Sequence, residues 1–124
     1  MEINVNTRKE FAKKLEERTK AFAISVLKLS ASLPSKEEGR VLKYQLTKSA
    51  TSIGANYREA NRSRSRADFR NKIRICESEA SETVYWLEII LKMDWIKAAN
   101  IDLIYAESKE LLALFTAISK KIKT

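Results

Sequence analysis

Between Arg58 and Arg74 the chain carries Arg58, Arg62, Arg64, Arg66, Arg70, Lys72 and Arg74 against only Glu59 and Asp68. Guanidinium groups are permanently charged, planar forks that suit phosphate oxygens, so a run of this kind can grip a polyanion with little regard for its sequence. Arg66, Arg70 and Arg74 recur at i+4 and share a helical face, whereas Arg62 and Arg64 sit in the turn before it. The bland alternative is a solvated face whose arginines pair with Glu77 or with acids on neighbouring helices.

Other chemistry finds less material. The 124 residues include no histidine, which removes the usual general base near neutral pH and the commonest metal ligand. It also argues against the helical ribonucleases that pair an arginine with a histidine. Glu59, Glu79 and Glu82 could form an inward carboxylate metal site, but such sites normally include a Glu-x-x-His pattern, which is absent. Salt bridges from these acids to Arg58 or to a nearby lysine are the simpler expectation. The single cysteine, Cys76, falls at an apolar helical position and reads as a small core residue in a reduced, cytoplasmic setting. No catalytic residue, metal or cofactor is expected, and the chain is read as non-enzymatic.

The elements that position these residues are helices. One proline and two glycines among 124 residues leave few places to turn. A first helix over roughly residues 8–32 follows from a capping box at Thr7 and Glu10 and an apolar stripe of Phe11, Leu15, Phe22, Val26, Leu29 and Leu33. Glu10 with Lys14 and Glu16 with Lys20 are spaced for surface ion pairs. Leu33-Pro34 ends this helix, and Ser35 with Glu38 predicts a second start near residue 36. Leu42, Leu46, Ser49, Ile53, Asn56 and Ala60 then form a seam to about residue 61. Ser65 and Asp68 cap a third helix over 66–93, with Phe69, Ile73, Cys76, Ala80, Thr83, Leu87 and Ile90 as its seam. Asp94 to Asn100 is a connector, and Asn100 or Asp102 caps a fourth helix over about 101–122. Lys120, Lys121 and Lys123 match the dipole at its end.

Four helices with short connections predict an all-α, up-down-up-down four-helix bundle in a single domain. A second stripe on the third helix, Ile75, Glu79, Glu82, Trp86, Ile89 and Met93, is more than one core can cover. Ile75, Trp86, Ile89 and Met93 are therefore expected at a contact between copies of the chain. Gly54 lies inside the second helix at a cost of about 1 kcal/mol relative to alanine, which implies either close approach of another helix or a kink. Lys plus Arg outnumber Asp plus Glu by 24 to 16, a net charge of +8 that favours nucleic acid as a partner. No apolar run approaches the roughly 20 residues that span a bilayer, and the N-terminus lacks an apolar signal core, so no membrane association is expected.

Leu33-Pro34, Gln45-Leu46, SATSIGANYREA from Ser49 to Ala60, RSRADF from Arg64 to Phe69 and EASETVYWLEIIL from Glu79 to Leu91 together resemble one bacterial family. It is the four-helix-bundle family named after reading frames in intervening sequences of large-subunit ribosomal RNA genes. Many members end the second helix with Asn-Ile-Ala-Glu-Gly, where this chain has Asn56-Tyr57-Arg58-Glu59-Ala60, keeping the asparagine and the acid but not the glycine. The resemblance implies a homo-oligomeric, pentameric ring of bundles. It also implies kinship with the accessory variability protein of diversity-generating retroelements, a basic pentamer that associates with nucleic acid and a reverse transcriptase. By position, Asn56, Glu59, Glu79 and Glu82 match polar residues of the family, and with Gln45 and with Ser49 of the second helix's seam they are expected to bond between helices or between subunits. The expected function is RNA or DNA binding through the basic surface. The alternative is a scaffold that docks an acidic protein such as a polymerase or nuclease.

Overall fold

The computed structural model describes residues 5–122, with Lys123 outside the described residues. Four helices, α1 (Val5–Ser30), α2 (Glu37–Ala60), α3 (Arg66–Met93) and α4 (Ala98–Lys121), account for nearly all of it, and no strand occurs among the described residues. Each helix packs on its neighbours in sequence, and α1 closes against α4, while the diagonal pairs meet only through core side chains. With turns of four to six residues between them, that is an up-down-up-down bundle.

The core follows the sequence seams. Val26, Leu46, Ile53, Ile73, Leu87, Ile90, Ile101, Leu111 and Phe115 are essentially sealed from solvent. Burying such side chains contributes roughly 1.5–3 kcal/mol each before chain entropy is counted. Tyr57 and Phe115 meet edge to face at 5.4 Å, tying the C-terminal halves of α2 and α4 together. Between α2 and α3 the seam is partly polar: the Thr83 hydroxyl lies 2.9 Å from Ser49 Oγ, and the Cys76 thiol points at the Ile53 carbonyl at 3.4 Å. Phe11, which the periodicity places in the core, is half exposed, because α1 and α4 make the sparsest seam of the four.

Helix ends depart from the sequence reading in three places. The chain is already helical at Val5, ahead of the start expected after Thr7. At α2 the cap position is Lys36, without a side-chain bond, and the Arg40 guanidinium instead donates to the Ser35 carbonyl. Gly39 explains this tight entry, since a Cβ there would collide with the Pro34 carbonyl. At α4 the helix starts a turn early, after Lys97, because Asp94 adopts the left-handed conformation that aspartate tolerates and reverses the chain within the connector. Ser65, by contrast, caps α3 as expected, its oxygen accepting from the Asp68 amide at 3.1 Å.

Gly54 marks a close approach rather than a kink. A Cβ at this position would lie 2.9 Å from Thr19 Oγ1 on α1, and α2 runs unbroken through it.

Candidate nucleic-acid interface

The turn between α2 and α3 is a stiff platform. The Arg62 amide donates to the Glu59 carbonyl, and the Ser63 amide and hydroxyl both donate to Ala60, the latter at 2.7 Å. Ser65 caps α3, and the Asn61 side chain reaches α1 to donate to Glu16 at 2.9 Å. Held in this way, Arg62, Arg64 and Arg66 project into solvent.

The seven basic residues do not form one surface. A helix turns about 100° per residue, so Arg70 follows Arg66 with a drift of about 40°, and Arg74 drifts as far again. Arg74 thereby leaves the end of the bundle and faces a shallow depression beside Glu77, Glu82, Tyr85 and Leu112. Lys72 lies about 200° from Arg70 around α3, on the opposite flank. Arg58 looks the other way again, into a groove between α1 and α2 that it lines with Lys13 and Lys20. Arg70 is half-buried, with its Nε shielded from solvent and lacking a hydrogen-bond partner among the described residues.

What the sequence run loses, the topology replaces. In an up-down-up-down bundle the starts of α1 and α3 share an end with the finishes of α2 and α4. Arg8 and Lys9 from α1 and Lys120 and Lys121 from α4 therefore join Arg62, Arg64, Arg66 and Arg70. A depression lined by Arg8, Lys9, Lys13, Glu16 and Asn61 shows α1 and the α2–α3 turn side by side there. Two helix N-termini and two C-termini meet at this pole, so their dipoles largely cancel and the positive field comes from side chains. The added residues could have been found by combining the helix count with the direction of each helix, since they lie far apart in sequence.

These cations form no ion pair among the described residues. Among the described residues the ion pairs are those of Arg18, which forks onto Glu107 at 2.6 and 2.7 Å and lies 3.6 Å from Glu110. That bond to Glu107, more than the charge of either acid, raises the Arg18 pKa further above its usual range. The expected pairing of the arginine run with Glu77 is absent among the described residues, as are the Glu10–Lys14 and Glu16–Lys20 pairs. Glu16 instead accepts from Asn61.

The polar residues singled out by resemblance scatter as well. Ser49 faces Thr83 across the α2–α3 seam, whereas Asn56 bonds to Ser52 one turn back on its own helix, at 2.9 Å, rather than to another element. Gln45, Glu59, Glu79 and Glu82 make no side-chain hydrogen bond or ion pair among the described residues, so the expected bridges to Arg58 or lysine do not form. Nor do these acids converge: no three acidic or cysteine side chains among the described residues are placed to hold a metal ion. Ile75 and Met93 are 42% and 43% exposed, while Trp86 and Ile89 are half-buried against the bundle's own core side chains or beside them. The Trp86 indole Nε1 is shielded and without a partner among the described residues. No described helix is long and apolar enough to cross a membrane.

The fold has a solved counterpart. A crystal structure of a protein of unknown function from the S23 ribosomal protein family of Bacteroides thetaiotaomicron VPI-5482 superposes with a TM-score of 0.78 at 37% sequence identity, covering 86% of this chain and 98% of that one. Comparison with curated proteins finds no match. The sequence pattern described as 23S rRNA-intervening sequence protein matches residues 6–117, almost the whole bundle including the α2–α3 turn and its arginines. The chain belongs to the 23S rRNA-intervening sequence protein family.

Proposed function

We propose that this chain is a non-enzymatic, self-associating cytoplasmic protein that binds RNA or DNA through the basic end of its bundle. The observation that carries this reading is the gathering of Arg62, Arg64, Arg66 and Arg70 with Arg8, Lys9, Lys120 and Lys121 at one pole, with no ion pair to quench them among the described residues. Such a surface binds phosphates by releasing counterions, with affinity that falls steeply with salt and little choice of sequence. The family's name, taken from an rRNA intervening sequence, makes RNA the first ligand to try. Self-association as a pentameric ring would repeat the basic end around an axis and multiply weak contacts.

Fluorescence polarisation against generic RNA and DNA oligonucleotides, titrated with salt, tests the reading. Wild-type protein should bind at low salt with a steep slope of log affinity against log salt. Changing Arg62, Arg64 and Arg66 to glutamine should flatten that slope by about 0.7–0.9 for each phosphate no longer neutralised. No binding at low salt would refute the proposal. Capture of an acidic protein that survives nuclease treatment, without oligonucleotide binding, would replace it with the scaffold reading. Light scattering at micromolar concentration tests assembly, and a stable monomer would rule out the ring.

A further inference from the structure

We infer that the basic pole takes unpaired nucleotides, the phosphates of a single strand resting on its cations while a base stacks on Phe11 in the open seam between α1 and α4. This deepens the nucleic-acid reading above and rests on it. Phe11 lies four residues before Leu15 and eleven before Phe22, so all three share the core-facing side of α1. Leu15 and Phe22 are each 3% exposed, whereas Phe11 is 50% exposed. Single apolar residues on an outward face are ordinary. An aromatic ring on the core-facing stripe, left half open by the fold, is instead an accessible apolar floor.

The helix register places this ring among cations. Arg18 meets Glu107 at 2.6 Å, and α1 and α4 run in opposite directions, so seven residues towards the pole Phe11 is level with Leu114. Ile118 lies one turn beyond Leu114 on the same side of α4, and both are half-buried against the core, which extends the floor outward. Arg8 is one turn nearer the pole on α1, and Lys121, seven residues after Leu114, ends α4 on the same flank. Both are exposed, and neither forms an ion pair among the described residues. Of the nearby acids, Glu107 and Glu110 are engaged by Arg18, and Glu10 lies about 100° around α1 from Phe11. Beyond the Arg18 fork the same seam opens again, as a hollow of about 210 Å³ beside Phe22 and Ile104.

An apolar floor edged by cations discriminates between polyanions. A duplex keeps the faces of its bases stacked on one another, so it can use only the cationic rim. A single strand can turn a base out, and an aromatic ring accepts any base because each has a π-face. One base on a half-exposed ring should raise single-strand affinity by about 5- to 30-fold. That gain offsets the denser charge of a duplex, which releases more counterions per phosphate contact.

Fluorescence polarisation of the full chain against a single strand and a hairpin duplex of equal length, at matched salt, tests this. Phe11→Leu keeps an apolar side chain but removes the ring, and circular dichroism checks that the helices are retained. It should lose about 5- to 30-fold in single-strand affinity, with duplex affinity and both salt slopes unchanged. Phe11→Trp should restore single-strand binding, and its added emission over that of Trp86 and Trp95 should be quenched by the single strand and not by the duplex. Tyr85→Ala removes an aromatic side chain that is 54% exposed but about five turns up α3 from the pole, and it should change neither affinity. If Phe11→Leu lowers both affinities equally or neither, this inference is overturned and the polyanion reading stands. A loss of single-strand affinity in Tyr85→Ala as large as in Phe11→Leu would also overturn it. Absence of binding to either form at low salt would overturn both readings together.

Discussion

Replacing Gly54 with alanine tests whether α1 and α2 are as close as the structure makes them. In an isolated helix the change would stabilise the chain by about 1 kcal/mol, since glycine has more backbone freedom to lose on folding. Here the new methyl group would lie 2.9 Å from Thr19 Oγ1 and 3.1 Å from Thr19 Cβ, inside ordinary contact distance. Thr19 has little room to yield. Its side chain is fully buried, its hydroxyl sits 2.9 Å from the Leu15 carbonyl and 3.0 Å from the Glu16 carbonyl, and β-branching limits its alternatives in a helix. Relief must come from α1 shifting outward, and overpacking of this kind costs about 1–3 kcal/mol. Set against the helical gain, Gly54→Ala should destabilise by up to about 2 kcal/mol.

Urea unfolding followed by circular dichroism, at one fixed protein concentration so that assembly does not shift the midpoint, measures this. The sharper form is a double-mutant cycle with Thr19→Ala, which removes the nearest atom while leaving no carbonyl stranded, because both carbonyls belong to helical turns. In that background Gly54→Ala should be neutral or stabilising, giving a coupling of about 1–2 kcal/mol. Stabilisation by about 1 kcal/mol in the wild-type background, or an equal effect in both backgrounds, would refute the close approach.

Two further measurements probe other seams. Burial pushes the Cys76 thiol up to about 12 from an ordinary value near 9, so between those values the unfolded chain loses this proton and the folded chain keeps it. The unfolded state then binds fewer protons, and stability falls as pH rises, by about 2 kcal/mol between pH 9 and about 10.5. Denaturation profiles should show this loss in the wild type and not in Cys76→Ala, and parallel profiles would disprove it. The Arg18–Glu107 fork crosses the sparse α1–α4 seam but is partly exposed, so a cycle of Arg18→Gln and Glu107→Gln should give a coupling of only about 0.5–1 kcal/mol, declining with salt. A salt-independent coupling above about 2 kcal/mol would mean the pair is effectively buried, contrary to its exposure.

The bundle was legible because its signals are local and agree with one another. Ser65, Asp68 and the seam from Phe69 to Ile90 each specify α3 separately, and its observed limits match the reading to the residue. Where the local signal came from side-chain caps alone, tertiary contacts overrode it. Ser35 and Glu38 have capping spacing, but the packing of Gly39 on Pro34 sets how the chain enters α2. Asn100 and Asp102 can cap, but the left-handed turn at Asp94 lets α4 begin before either is reached.

The candidate site was less legible, for a geometric reason. A cluster of charge in sequence becomes a surface only if the helix period and the next turn keep it on one side, and from Arg58 to Arg74 they do not. Arg58 and Lys72 are carried to other flanks and Arg74 is carried up the helix, while Arg8 and Lys121, more than a hundred residues apart, are brought to one pole by antiparallel packing. Binding energy that depends on phosphate neutralisation follows the pole and not the run. On that argument Lys120→Glu with Lys121→Glu should weaken RNA binding more than Arg74→Glu does, although only Arg74 belongs to the sequence cluster. The reverse order in a polarisation assay at matched salt would place the ligand along α3 instead of across the end of the bundle.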